Sequence, residues 1–79
     1  MWLMTPIGFF SIVQKPDDRI RNTLTIRARV KSDLEALRQG YLPDMGEILA
    51  HQGTDYRYRA VASKTSVASA LSQLIADLD

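Results

Sequence analysis

Five basic residues form the pattern with the clearest chemical meaning in this 79-residue chain. They stand at alternate positions in two segments: Arg27, Arg29 and Lys31, then Arg57 and Arg59. Alternate residues of a β-strand point to the same side of a sheet, so the spacing predicts a row of cationic groups on one sheet face. Such a face binds phosphate or another anion, or it is simply solvated. All five are candidate anion-binding residues.

Other side chains that could carry chemistry lack a supporting pattern. His51 is the only histidine, the chain has no cysteine, and the nearby acids Asp44, Glu47 and Asp55 match no known metal-ligand spacing. The Lys64-Thr65 pair is not preceded by the glycines of a phosphate-binding loop. We therefore predict no catalytic residue, no cofactor and no metal site, and a protein that is not an enzyme.

The arginine segments fit two strands that lie side by side in the middle of a sheet. Leu24, Ile26 and Ala28 alternate with polar residues, which predicts a strand over residues 23–31. Aromatic and β-branched residues over 8–15 predict a strand before it. Residues 46–51 and 55–62 predict a hairpin around a three-residue loop at 51–53, with Ile48 opposite Tyr56. In that register Tyr56 and Tyr58 point away from the arginines.

Turn and helix signals fill the rest of the chain. Pro16 followed by Asp17 and Asp18 predicts a solvated turn, and residues 19–22 a loop. Ser32 and Glu35 form a capping-box pattern ahead of a short helix over 33–39. A second, amphipathic helix is predicted from Ser63 or Thr65 to the end of the chain.

The order of the predicted elements is ββαββα. It predicts one α+β domain over residues 1–79, a two-layer sandwich in which a four-stranded antiparallel sheet carries both helices on one face. The predicted strand order is 1-2-4-3, as in a permuted relative of the ferredoxin-like fold, and the other sheet face is left open. The predicted core consists of Leu24, Ile26, Ala28, Val30, Leu34, Leu37, Tyr56, Tyr58, Val67, Leu71 and Leu74.

The apolar amino-terminal segment predicts an interface. A chain of this size buries only about 60% of its unfolded surface, so association with a second copy or a protein partner would stabilise it. The candidate interface residues are Trp2, Leu3, Met4 and Phe9. Pro6 and Gly8 interrupt the segment, which therefore predicts neither a membrane span nor a signal peptide.

Net charge and cysteine content narrow the expected partners and the expected compartment. The net charge of +1 does not call for nucleic acid or an anionic membrane as a partner. The lack of cysteine fits a reducing compartment, and we predict a cytoplasmic protein.

Four segments, residues 1–16 (MWLMTPIGFFSIVQKP), 33–38, 41–43 and 55–60, resemble a family of small bacterial hypothetical proteins that has no established activity. The resemblance implies a bacterial protein and transfers no functional residue. Family members continue beyond the position of Asp79, and the second helix lacks a stop signal, so truncation at the carboxyl end is predicted.

These patterns favour a non-enzymatic interaction module that binds itself or a protein partner. The alternative is a module that binds nucleic acid or a phosphoanion through the arginine-rich sheet face.

Overall fold

The computed structural model describes residues 1–78, which form an antiparallel open sheet of five strands with three helices. The elements in chain order are β1 (Trp2–Thr5), β2 (Gly8–Val13), α1 (Pro16–Arg21), β3 (Thr23–Ala28), α2 (Lys31–Gly40), β4 (Leu49–Ala50), β5 (Tyr58–Ser63) and α3 (Lys64–Ala76). The α+β class and the antiparallel sheet are confirmed. The count of four strands and two helices is wrong, because β1 and α1 are additional.

The strands lie in the order β1-β2-β3-β5-β4, and every neighbouring pair is antiparallel. The four predicted strands thus keep their predicted order, with β1 added outside the first of them. One row of directly opposed residues crosses the whole sheet: Trp2, Ser11, Arg27, Arg59 and Leu49.

The core lies between one sheet face and the helices α2 and α3. Its buried apolar side chains come mainly from the central strands β2, β3 and β5 and from the helices α2 and α3. Among them, Phe10, Ile26 and Leu34 are almost completely buried. Most of the predicted core is confirmed, and Leu24, Tyr58 and Leu71 pack against it half-buried. Val30 and Tyr56 are wrong: Val30 is 50% exposed beyond the end of β3, and Tyr56 is half-buried outside the core.

The extra strand β1 pairs with β2 through a tight turn. The Thr5 hydroxyl accepts hydrogen bonds from the N–H groups of Ile7 and Gly8 and donates to the Gly8 carbonyl. The Pro6 and Gly8 that interrupt the apolar segment therefore belong to a hairpin turn. Strand β1 was missed because its residues are nearly all apolar and show no period-two alternation.

Helix α1 replaces the predicted turn and loop. Pro16 occupies the first turn, where its missing N–H costs nothing, and Asn22 ends the helix in the left-handed conformation at φ 58°. Asp18 accepts hydrogen bonds from Thr23 and Thr25, whose side chains lie on the sheet face opposite α2 and α3. One end of the predicted open face is therefore covered.

Strand β3 ends at Ala28, three residues before the predicted end. The N–H of Phe9, which would have bonded to a longer β3, donates instead to the Asp33 carboxylate at 3.4 Å. Helix α2 begins at Lys31 with Val30 as its N-cap, and no side chain caps it. The capping box at Ser32 and the strand position of Lys31 are both wrong.

The hairpin of β4 and β5 has a longer loop than predicted. Leu49 pairs with Arg59, and the N–H of His51 donates to the carbonyl of Arg57, which leaves residues 52–56 as the loop. The predicted pairing of Ile48 with Tyr56 is wrong. The register moves by an even number of residues, so Ile48 still packs against the core.

Helix α3 begins where predicted. The Ser63 hydroxyl is its N-cap and accepts the N–H of Ser66 at 3.1 Å. The predicted last residue, Asp79, lies outside the described part of the chain. Across residues 1–78, no helix combines the length and the apolar character needed to cross a membrane.

Candidate functional site

Two surfaces of the described structure are candidate binding sites: one has arginines beside aromatic rings, and the other has exposed apolar side chains on an edge strand. We call the first the arginine–aromatic face: Phe9, Arg27, Arg29, Tyr56 and Arg59, on the sheet side opposite α2 and α3. We call the second the β1 edge: Trp2, Leu3 and Met4 on the outermost strand, beside α3.

Two arginines face each other directly at the centre of the arginine–aromatic face. Arg27 of β3 and Arg59 of β5 are cross-strand partners, in agreement with the prediction that the two arginine-bearing strands are neighbours. Nη2 of Arg27 donates to the Ser11 hydroxyl at 2.9 Å, and Nη2 of Arg59 donates to the Tyr56 carbonyl at 3.1 Å. These acceptors are neutral, so the hydrogen bonds do not cancel either charge.

Aromatic rings accompany the guanidinium groups. The rings of Phe9 and Tyr56 are nearly parallel, with 9° between their planes and 6.4 Å between their centroids. The Arg27 guanidinium lies 5.0 Å from the Tyr56 centroid, and that of Arg29 lies 5.5 Å from Tyr56 and 5.6 Å from Phe9. Each cation–π contact stabilises by about 0.5–1 kcal/mol. That is enough to offset a cross-strand repulsion of up to about 1 kcal/mol.

Tyr56 reaches this face because it belongs to the loop and not to β5. The prediction that Tyr56 points away from the arginines is therefore wrong. Tyr58 does point away, since it pairs with Ala28 on the core side. The error follows from the loop length: in the three-residue loop predicted, Tyr56 would have followed the alternation of the strand.

The two central arginines keep unused hydrogen-bonding capacity. The Nε atoms of Arg27 and Arg59 are buried and have no partner among the described residues. A buried polar group left without a partner costs about 1–3 kcal/mol. The face thus combines uncancelled positive charge with unsatisfied donors.

The other candidate anion-binding residues lie at the margin or away from this face. Arg29 follows the last residue of β3 and Arg57 precedes the first residue of β5, and both side chains are exposed. Lys31 is exposed on the first turn of α2. The structure brings Arg27, Arg29 and Arg59 around the two rings, whereas no contact ties Arg57 or Lys31 to them.

A shallow groove of about 470 Å³ continues from Arg59 towards α1. Lys15 and Arg21 line it on the α1 side, together with Asp17. His51 lines the opposite side and is exposed. In the described structure, no three His, Cys, Asp or Glu side chains are grouped closely enough to hold a metal ion.

Asp18 ties α1 to the sheet beside this groove. Its carboxylate is 4% exposed and accepts the Lys15 N–H at 2.9 Å and the hydroxyls of Thr23 and Thr25 at 2.7 and 2.8 Å. Burial raises the pKa of Asp18, but these hydrogen bonds and the Lys15 charge lower it more, so the net pKa is below its ordinary value of 3.8. The expectation of a solvated turn is wrong for Asp18, which is buried; Asp17 is exposed, but it lies in α1 and not in a turn.

The β1 edge presents free backbone groups. The amino group of Met1 donates to the Ile12 carbonyl at 2.8 Å, and the Met1 carbonyl accepts the Ile12 N–H at 2.7 Å. Facing residues of an antiparallel pair alternate between hydrogen-bonded and non-bonded, so Leu3 also bonds towards β2. The N–H and C=O groups of Trp2 and Met4 therefore point outward from the sheet.

Apolar side chains flank that edge on both sheet faces. Trp2 is 70% exposed and Met4 86% exposed, on the same face as the arginines. On the helix side an apolar groove of about 300 Å³ separates β1 from α3, lined mainly by Leu3, Met4, Leu71, Leu74, Ile75 and Leu78. Phe9, the fourth predicted interface residue, belongs instead to the arginine–aromatic face.

The chain matches no protein-family model, no curated protein and no solved structure among those compared. The resemblance to a bacterial family stays a prediction.

Sequence reasoning missed several residues of these surfaces. Ser11 and Tyr56 hold the arginines, yet neither stands out in the sequence, because each acquires its role from a cross-strand or loop contact. The sequence did contain a signal for Asp18. It stands three residues after Lys15, the N-cap of α1, and an acid at that position can accept the N–H of the N-cap residue, as in a capping box.

Proposed function

We propose that the protein is a non-enzymatic interaction module that self-associates by pairing the β1 edges of two copies. The observation that carries the proposal is the outward direction of the backbone groups of Trp2 and Met4 on an unpaired edge strand with large exposed side chains. Exposed edges of this kind are templates for pairing with another chain.

The register of the pairing follows from the positions of the free groups. In an antiparallel pair about a twofold axis, Trp2 of one copy faces Met4 of the other, and the reverse, while Leu3 faces Leu3. Both outward-pointing residues of each copy then exchange hydrogen bonds with a counterpart that also points outward. A register centred on Trp2 or on Met4 satisfies fewer of these groups.

The side chains suit the same register. Opposed residues lie on one face of a sheet, so the Trp2 indole meets the Met4 thioether, a contact worth about 0.3–1.5 kcal/mol. Leu3 meets its counterpart on the helix side, next to the apolar groove between β1 and α3. The twofold axis stands perpendicular to the sheet, and the helices α2 and α3 of both copies fall on the same side.

The size of the domain supports association as well. Its core has one layer of helices on one sheet face, and large apolar side chains stay exposed at one end of the molecule: Met1, Trp2, Met4, Ile75 and Leu78. Covering them with a second copy removes apolar surface from water at about 25 cal/mol per Å². A protein partner that adds a strand to β1 would use the same groups.

The experiment is sedimentation equilibrium of the protein over a range of concentrations. We expect a monomer–dimer equilibrium, and a thermal midpoint that rises with concentration. Trp2→Lys should shift the equilibrium to monomer, because it places a charge on the pairing edge. Ile20→Lys is the matched control, since Ile20 is a similarly exposed apolar side chain at 84% on α1.

A monomer at millimolar concentration would refute self-association. An equal loss of dimer in Trp2→Lys and Ile20→Lys would place the contact elsewhere. We also propose that the fold is a permuted relative of the ferredoxin-like fold and that the protein acts in the bacterial cytoplasm.

A further inference from the structure

We propose that the arginine–aromatic face binds single-stranded nucleic acid, with bases stacked on Phe9 and Tyr56 and phosphates held by the arginines. This proposal goes beyond self-association and does not depend on it. The two surfaces use different residues, so each can fail alone.

The rings form a platform for unpaired bases. Phe9 and Tyr56 are both partly exposed, and their planes differ by only 9°. Every base has a π-face, so stacking on such rings binds single strands with little regard to sequence. The Arg29 guanidinium that covers both rings is exposed, and it moves to a phosphate or to the outer face of the base when a base takes its place.

The charge of the face complements a phosphate backbone. Arg27 and Arg59 bond only to neutral oxygens, those of Ser11 and Tyr56, and their Nε groups have no partner within the described chain. The Arg29 guanidinium over both rings adds to this charge, and Arg57 lies directly before β5, two residues from Arg59. Asp33 borders the face, and its carboxylate accepts the N–H of Phe9.

The combination of rings and charge favours a single strand over the other anions. A duplex keeps its bases stacked inside and offers mainly backbone phosphates. An acidic peptide offers carboxylates but no flat rings to stack. An unpaired strand uses the Phe9 and Tyr56 rings and the arginines together.

The test is fluorescence anisotropy with labelled oligo-uridine and oligo-thymidine about 12 nucleotides long, at several salt concentrations. Each phosphate neutralised changes the slope of log affinity against log salt by about −0.7. We expect Arg29→Gln and Arg57→Gln each to make this negative slope shallower by about 0.7. Lys64→Gln is the charge-matched control, since Lys64 is exposed on α3, and its slope should not change. The two oligonucleotides distinguish RNA from DNA.

The rings are tested separately. Tyr56→Leu and Phe9→Leu should each weaken binding about tenfold to a hundredfold without changing the salt slope, whereas Tyr56→Phe should bind like the parent. A thermal scan checks that these variants fold. Arg29→Gln and Arg57→Gln alter exposed side chains, so the slope test holds even if a ring variant unfolds.

Three results would overturn the proposal. One is no binding of either oligonucleotide at low salt. Another is a slope in Lys64→Gln that becomes as shallow as in the arginine variants, which would indicate that positive charge anywhere on the surface contributes equally. The third is equal affinity for a duplex or for polyglutamate together with unchanged binding in folded Tyr56→Leu. If Trp2→Lys loses the dimer but binds oligonucleotides normally, that result concerns only the proposed self-association. It does not count against nucleic-acid binding.

Discussion

Replacing Met4 with proline tests the strand pairing itself rather than the apolar contact. Proline has no N–H, and it is tolerated where the N–H points away from the sheet, which is the direction deduced for Met4. The pairing of β1 with β2 keeps its bonds at Met1 and Leu3. The variant should therefore fold as a monomer and fail to pair.

The magnitude follows from the twofold symmetry. The Met4 N–H of each copy donates to the Trp2 carbonyl of the other, so one substitution removes a hydrogen bond at both ends of the interface. At about 1 kcal/mol for each bond, the loss is about 2 kcal/mol, or a dissociation constant roughly thirtyfold weaker. The proline ring adds steric repulsion against the facing strand.

Sedimentation equilibrium measures the dissociation constants of the parent and of Met4→Pro. Met4→Leu is the control, because it keeps the N–H and an apolar side chain of similar volume; it loses only the thioether contact with Trp2 and should dimerise more tightly than Met4→Pro. A Met4→Pro protein that dimerises as tightly as the parent would refute strand pairing at β1. A loss of dimer in Met4→Leu as large as that in Met4→Pro would show that the side chain decides association.

Three further predictions concern stability. Asp18→Asn should be about 1–3 kcal/mol less stable near neutral pH in urea denaturation. Because the folded pKa of Asp18 is lowered, its stabilisation is present above the ordinary value of 3.8 and is lost as the pH falls through the folded value. The difference should therefore shrink in acid, and a constant difference would contradict this account. Ser63→Ala should cost about 1 kcal/mol while Ser32→Ala changes little; equal midpoints would contradict the assigned N-caps. Gly8→Ala should lower the thermal midpoint by several degrees, because a Cβ there would lie 2.6 Å from Cγ of Asp33, and an unchanged midpoint would contradict that packing.

The sheet centre could be predicted because its signals are local. Leu24, Ile26 and Ala28 alternate with polar residues, and this period specifies a strand with one buried face whatever surrounds it. Two such strands next to each other put their arginines side by side, and the register of the structure pairs Arg27 with Arg59. The helices that cover the sheet were likewise visible from apolar spacing, and α3 was predicted to begin at Ser63 or Thr65.

The candidate sites were only partly predictable. The four arginines and the residues Trp2 and Met4 were identified from composition and position alone. The pairing of Tyr56 with Arg27 was not, because it depends on the loop of residues 52–56, and several loop lengths fit the same glycine signal. The helix α1 is only six residues long and Ile20 is its one large apolar side chain, so it has no apolar spacing to recognise.

The sequence by itself determined which segments have a buried side, since apolar periodicity records contact with a core along the chain. Only the tertiary structure decided which polar groups are enclosed and which backbone groups are free. Asp18 is buried because α1 packs on the sheet where Thr23 and Thr25 can donate to it. Trp2 and Met4 expose their N–H and C=O groups because β1 pairs with β2 in one register and is the outermost strand of the sheet formed within residues 1–78. Both outcomes depend on contacts between segments, which no local pattern of residues encodes.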